Sequence, residues 1–196
     1  MKISWRLASA ALCSLIVLSC TSHTYNKMEL GPDPMVDHVR QWTRTARLYR
    51  QFDTTVIVDV TFNSPRLRAF TVDWLSNVQR LTPEEKQKLL DEQMEESGRY
   101  LQFYLAMYTP EMEWSELAKK NPAWLVFVDT PKGPVFSEPA QKVRQEEIPW
   151  GASLPYDPRY RSFYKINIPA DKIAQANIKL VLSSMLGEVY LDWDAR

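Results

Sequence analysis

The end of the chain carries the pattern that most restricts the fold. Apolar residues recur at every second position in two short stretches, first Ile178, Leu180 and Leu182, then Val189, Leu191 and Trp193. A period of two places alternate side chains on one face of a β-strand. Residues 185–187 separate the two stretches and predict a tight turn. The sequence therefore predicts an antiparallel hairpin with one apolar face.

Further strands are predicted upstream of this hairpin. Residues 55–62 and 160–168 alternate in the same way, and residues 99–109 are strand-like and rich in tyrosine. Residues 123–129 form a continuous apolar run, which is typical of a central strand buried on both faces. A turn then leads to a short strand at 134–136.

Two helices are predicted between the strands at 55–62 and 99–109. Asn63-Ser64-Pro65 has the residues of a helix start, and an apolar stripe with spacings of three and four follows: Leu67, Phe70, Trp74, Val78 and Leu81. Thr82-Pro83-Glu84-Glu85 predicts a capping box for a second helix, which runs to about Ser97 and ends at Gly98. A third, short helix is predicted at 110–120.

The order of these elements indicates the fold class. Strands outnumber helices and follow one another at the end of the chain, which argues against a parallel α/β architecture. We expect a mainly β (α+β) fold, an antiparallel β-sandwich with a two-helix insertion around 65–97. Such a sandwich resembles immunoglobulin-like domains at the level of the fold, although their Cys…Trp…Cys landmarks are absent.

The first residues have the organisation of a secretory signal. Lys2 and Arg6 give the start a positive charge, and residues 7–19 are an apolar stretch without any charge. This stretch is shorter than the roughly 20 residues that a transmembrane helix needs. A charged start followed by a short apolar segment is typical of an exported precursor.

The signal ends in Val17-Leu18-Ser19-Cys20, which resembles the lipobox of bacterial lipoprotein precursors. Val17 and Ser19 match the aliphatic and small residues of that motif, while Leu18 is bulkier than the residue usually found there. The resemblance implies cleavage before Cys20, lipidation of its thiol and acylation of the new amino terminus by a fatty acid such as palmitate. Several acyl chains anchor a protein stably in a lipid bilayer. Thr21 follows in place of aspartate, which by the same resemblance implies the outer membrane, facing the periplasm.

The resemblance also divides the chain into three parts. Residues 1–19 would be removed, residues 20–33 would be the lipidated cysteine and a flexible tether, and residues 34–196 would be a single globular domain. The whole chain has 24 basic and 24 acidic residues. Loss of Lys2 and Arg6 leaves 22 basic against 24 acidic residues, so charge gives no reason to expect nucleic acid as a partner.

The residue types restrict the chemistry. The two histidines are His23 and His38, and neither lies near the pattern of a serine nucleophile. Zinc sites need several cysteine or histidine ligands, whereas Cys13 lies in the leader and Cys20 would be acylated. The glycine-rich motifs that bind phosphate are absent. We therefore predict no catalytic residue, no metal and no cofactor.

One acidic strand face leaves an alternative open. Asp192 and Asp194 share a face with Glu188 and Tyr190 in the alternating pattern. Paired carboxylates hydrolyse glycosides without histidine, and such a face is also able to bind calcium. The alternative function is therefore a carboxylate-dependent hydrolase of cell-wall or surface polysaccharide, although such a face is more often solvated.

Two groups of aromatic residues are candidates for binding a partner. The first, Tyr100, Tyr104 and Tyr108, shares one face, and tyrosine is favoured at interfaces. The second is the turn that contains Tyr156, Arg159, Tyr160 and Arg161, where arginine and tyrosine together suit an acidic glycan or a protein. We expect a non-enzymatic, membrane-anchored envelope lipoprotein that binds a protein or glycan partner or has a structural role.

Overall fold

The computed structural model describes residues 33–173 and 177–194. The predicted signal, Cys20 and nearly all of the tether lie outside these residues. The elements in chain order are α1 (Pro34–Trp42), β1 (Thr43–Arg50), β2 (Asp53–Phe62), α2 (Pro65–Gln79), α3 (Pro83–Arg99), β3 (Tyr100–Tyr108), β4 (Leu125–Asp129), β5 (Val135–Phe136), β6 (Gln141–Val143), β7 (Ser162–Pro169), β8 (Asn177–Ser184) and β9 (Gly187–Asp194). Single turns of 3-10 helix lie at Met112–Ser115, Gln145–Glu147 and Ala170–Lys172.

The strands form two antiparallel sheets. The first sheet has the order β1-β2-β3-β7-β6, and the second has the order β5-β4-β8-β9. The predicted antiparallel β-sandwich of the mainly β, α+β class is therefore confirmed. The helices α2 and α3 lie between β2 and β3 in the chain, as the two-helix insertion predicts.

The main core lies between the inner faces of the two sheets. The core follows from the alternation of apolar and polar residues along the predicted strands, because the apolar side chains point inward from both sheets. On β8 and β9 the side chains that enter this core are those of the predicted hairpin: Ile178, Leu180, Leu182, Val189, Leu191 and Trp193. The indole Nε1 of Trp193 donates a 2.7 Å hydrogen bond to the carbonyl of Trp42, which fastens the second sheet to the end of α1.

A second core covers the outer face of the first sheet. Met35 and Val39 of α1 and Leu67 of α2 pack there with Ile148 and Trp150, which come from the segment before β7. The strand β3 is consequently buried on both faces along most of its length. A strand in this position buries polar as well as apolar side chains, and Gln102 is an example at 1% exposure.

Two local predictions are wrong. The helix expected at 110–120 is only a single 3-10 turn, Met112–Ser115, because the chain turns sharply there and the amide of Leu117 bonds to the carbonyl of Ser115. Leu117 then enters the main core. The strand at 123–129 is not buried on both faces, since the side chain of Leu125 is 51% exposed. No helix within the described ranges is long and apolar enough to cross a membrane.

Candidate functional site

The two sheets differ in what covers their outer faces. The outer face of the first sheet lies beneath α1, α2 and the segment around Trp150. The outer face of the second sheet carries exposed side chains on three of its strands, including Leu125, Phe136 and Tyr190. We call this surface the open face. An uncovered sheet face that carries large apolar residues is a candidate for contact with another molecule.

An aromatic row crosses the open face from one edge of the sheet to the other. Phe136 pairs with Phe127, Phe127 pairs with Val181, and Val181 pairs with Tyr190, so the four residues lie side by side on adjacent strands. The rings of Phe127 and Phe136 are 5.4 Å apart. Phe136 is 53% exposed and Tyr190 is 51% exposed, whereas Val181 between their strands is buried. The row is therefore an apolar strip that is exposed at its two ends and covered at Val181.

Polar residues border the aromatic row on both sides. On one side Ser183 donates a 2.7 Å hydrogen bond to Glu188, and the hydroxyl of Tyr190 donates to the same carboxylate. On the other side Lys179 lies 3.5 Å from a carboxylate oxygen of Asp129 and 4.7 Å from the ring centre of Tyr190. The row is thus an apolar centre between two polar margins.

The margins of the open face are acidic. Among the described residues of its strands, Asp129, Glu188, Asp192 and Asp194 stand on it against one lysine, Lys179. The hydrogen bonds from Tyr190 and Ser183 hold the pKa of Glu188 below its ordinary value. The bond to Glu188 in turn raises the pKa of the Tyr190 hydroxyl. The face therefore has a net negative charge at neutral pH and attracts a basic surface.

The acidic strand face that the sequence predicts does exist, and its carboxylates are exposed. Within the described ranges no three histidine, cysteine, aspartate or glutamate residues are grouped so that they could hold a metal ion. His38 packs flat against Phe70 of α2, with ring centres 3.5 Å apart. Its ring therefore has a packing partner on the helical side of the molecule.

The tyrosine stripe of β3 lies on the outer face of the first sheet. Tyr104 at its centre is only 7% exposed and meets Trp150 edge-on, with ring centres 5.2 Å apart. Burial raises the pKa of its hydroxyl to about 12. Tyr100 and Tyr108, at the two ends of the strand, are partly exposed. The structure therefore places the three residues on one face, as expected, but covers the middle one.

The turn at 156–161 is held by one ion pair to β2 and by another within the turn. The Nη2 atom of Arg161 lies 2.9 Å from Asp59, an ion pair without hydrogen-bond geometry, and Nη1 donates to the carbonyl of Ile57. Tyr156 is close by, and its burial raises the pKa of its hydroxyl.

The rest of the turn is more exposed. Arg159 binds Asp157 through hydrogen bonds that lower the pKa of this carboxyl to about 2. Tyr160 is 88% exposed, so it is the member of the turn with most of its side chain available to a partner.

The sequence pattern does not predict the aromatic row, although it places one member, Tyr190, on the acidic strand face. The continuous apolar run at 123–129 predicts Phe127 inside a strand buried on both faces, and Phe136 stands in a strand of two residues. Each row member comes from a different strand, so only the pairing register brings the four together. A single sequence does not give this register.

No family model, no curated protein and no solved structure matches the chain.

Proposed function

We propose that the protein is a lipid-anchored envelope lipoprotein that binds another protein through its open face and catalyses no reaction. The aromatic row carries this proposal. The row crosses all four strands of the sheet, is about half exposed at Phe136 and at Tyr190, and has no element packed over it within the described ranges, so it presents apolar surface to water. Exposed patches of this kind in soluble domains mark interaction sites.

The anatomy of the open face favours a protein over a glycan. Protein interfaces have an apolar, aromatic-rich centre and a polar margin. Phe127, Phe136 and Tyr190 supply the centre, and Glu188 and Asp192 belong to the margin. The expected partner therefore has apolar side chains at the centre of its contact surface and basic residues around them.

The membrane anchor of the proposal rests on Val17, Ser19 and Cys20. Metabolic labelling with palmitate tests it, because the wild-type chain should incorporate label and the Cys20→Ser variant should not. The mature labelled chain is expected in the outer-membrane fraction, on the periplasmic side. Label that persists in the Cys20→Ser variant would contradict lipidation at this residue.

Photo-crosslinking in living cells tests the binding surface. A photoreactive phenylalanine analogue is placed at Phe136 or at Tyr190, and Val78 on the exposed side of α2 serves as the control position. Both open-face positions should crosslink to the same protein, and the control position should not. An adduct with glycan only, or an identical pattern from the control, would overturn the proposal.

A double variant separates binding from folding. Phe136→Ser combined with Tyr190→Ser removes the two ends of the aromatic row, both of which are about half exposed. Because neither side chain belongs to a core, the melting temperature should change little. The crosslink recorded from a third position on the open face, Ser183, should be lost from the double variant. A crosslink of unchanged yield would show that the row is not the contact.

A further inference from the structure

The turns at one end of the sandwich carry a second set of exposed apolar side chains. This end, which we call the loop end, consists of residues 49–53, 109–115, 157–161 and 184–187. The strand register brings these segments together, since Ile57 pairs with Tyr108 and Met107 pairs with Ser162. The 184–187 turn lies beside them, because Gly187 packs closely against the side chain of Leu48 in β1. A Cβ on Gly187 would lie 3.0 Å from that side chain.

Each segment of the loop end presents a large apolar residue to solvent. Phe52 and Met185 are as exposed as side chains in an extended peptide, at 103% and 102%, and Tyr160 and Met112 follow at 88% and 78%. Two of the turns hold a non-glycine residue in the left-handed region, with φ of 58° at Gln51 and 61° at Tyr160. Such backbone is uncommon and costs energy, so the shape of these turns is not the default one.

The surroundings of these tips are amphipathic. Tyr49 and Trp114 stand beside them, and the indole of Trp114 donates a 2.7 Å hydrogen bond to Glu111. A shallow hollow of about 140 Å³ lies between the 109–115 and 184–187 segments and is lined by Thr54, Thr55, Thr109, Pro110, Glu111, Trp114 and Leu186. Tyrosine and tryptophan are the residues that settle at the boundary between lipid and water.

We propose that the loop end inserts the side chains of Phe52, Met112, Tyr160 and Met185 into the surface of a lipid bilayer. The apolar residues stand on separate, projecting turns, which suits insertion into a fluid better than contact with a flat rigid partner. Tyr49 and Trp114 would then lie at headgroup level. This interaction is independent of the open face and of its protein partner.

Charge selects the kind of lipid. The four segments contain three arginines, Arg50, Arg159 and Arg161, against four carboxylates, Asp53, Glu111, Glu113 and Asp157, so their sum is −1. Anionic lipids therefore gain no attraction from this end of the molecule. The bilayer that it fits is zwitterionic, and insertion should persist at high salt because apolar burial is its driving force.

Depth-dependent fluorescence quenching tests the proposal on the full chain. Phe52→Trp and Met185→Trp place a reporter on two tips, and Val78→Trp places one on an exposed helical position away from them. The vesicles are phosphatidylcholine with bromine atoms on the acyl chains, which quench only tryptophan that enters the bilayer. The parent chain supplies the baseline from the native tryptophans, and any binding by the leader is common to all variants.

We expect the chains with tryptophan at position 52 or 185 to be quenched at least twice as strongly as the parent chain. The chain with tryptophan at position 78 should be quenched no more than the parent chain. The same quenching should remain at high salt and in the Phe136→Ser/Tyr190→Ser background, which separates this surface from the open face. Reporters on the tips that quench no more than the control would overturn the proposal. A protein crosslinked from position 52 in cells, without quenching by vesicles, would assign the loop end to a protein partner instead.

Discussion

Arg68 and Glu96 join the two helices of the insertion through a contact that is buried on one side. Nη1 of Arg68 lies 3.0 Å from Oε2 of Glu96, and the arginine side chain is wholly buried whereas 31% of the glutamate side chain is exposed. Arg68 also donates to Gln93 at 2.8 Å and to the carbonyl of Asn63 at 3.1 Å. Lys165 of β7 reaches Glu96 at 3.3 Å, so the same carboxylate links α2, α3 and the first sheet.

Removal of Glu96 should therefore destabilise the domain strongly. The Glu96→Ala variant leaves the guanidinium of Arg68 buried without its counter-ion, and breaking a pair of this kind costs about 3 kcal/mol. The double variant Arg68→Met/Glu96→Ala removes both charges, so no uncompensated charge stays buried, and it should recover a large part of this loss. Urea unfolding followed by circular dichroism measures the free energies of unfolding.

Arg99 and Glu95 provide the matched control for that cycle. Both members of this pair lie on α3, with 3.0 Å between their charged atoms as in the buried pair, but both side chains are more than half exposed. Exposed pairs contribute between about 0 and 1 kcal/mol. Glu95→Ala should therefore change the free energy of unfolding far less than Glu96→Ala. Equal losses in the two variants would show that burial of Arg68 is not the cause.

The same carboxylate should make stability depend on pH in the acid range. Burial raises the pKa of Glu96, but the hydrogen bond from Arg68 and the charges of Lys165 and Arg68 outweigh it, so the pKa lies below its ordinary value of 4.5. A depressed pKa stabilises the folded state above the ordinary value, and this stability is lost as the pH falls through the lower, folded value. Wild type should therefore exceed Glu96→Gln in stability at neutral pH, and the difference should shrink as the pH falls below 4.5.

Parallel titrations of unfolding for the two chains measure this difference. The direction of this change distinguishes the two causes. If burial dominated, the neutral carboxyl would be favoured in the folded state, and wild type would gain stability relative to Glu96→Gln as the pH falls. A difference that grows toward acid would therefore show that the contacts with Arg68 and Lys165 do not prevail over burial.

Trp193 offers a test of how the second sheet is fastened to α1. The Trp193→Phe variant removes the indole donor, leaves the carbonyl of Trp42 without that bond, and shrinks a side chain packed 5.3 Å from the ring of Phe103. A lost buried hydrogen bond together with a small cavity should cost about 2 kcal/mol. Trp114→Phe is the control, because Trp114 is partly exposed and its indole bonds to Glu111, three positions away in the chain. A control loss as large as that of Trp193→Phe would contradict this account.

Sequence pattern predicted the elements whose two faces have different surroundings. β2, β8 and β9 alternate because one face meets the core and the other meets polar groups or water. Both helices of the insertion begin at capping residues, and Ser64 and Thr82 each accept a hydrogen bond from the amide three positions later. Local chemistry of this kind is legible in a single chain.

Other elements lacked such a signal. β1 is an edge strand with the sequence TRTARLYR, and it holds its place through pairing with β2 more than through apolar side chains of its own. The burial of Tyr104 follows from Trp150, which lies far along the chain. The aromatic row likewise depends on the register of four strands. Long-range pairing decides these features, and a local pattern does not encode it.

Gly98 and Gly151 differ in whether the structure has room for a larger side chain. Gly98 lies in α3, where a Cβ would meet nothing within 4 Å, whereas a Cβ at Gly151 would lie 1.9 Å from the carbonyl oxygen of Gln145. Gly98→Ala should stabilise the domain by about 0.5 kcal/mol, because alanine has less backbone freedom to lose in a helix.

Gly151→Ala should destabilise the domain by more than about 2 kcal/mol, since the clash is with backbone atoms. The amide of Gly151 bonds to Ile148, and its carbonyl accepts from the side chain of Gln145, so this turn cannot shift without losing both bonds. The same turn leads into Trp150, which covers Tyr104. Near-ultraviolet circular dichroism of Gly151→Ala should therefore show loosened aromatic packing, while a spectrum and midpoint equal to those of Gly98→Ala would contradict the steric argument.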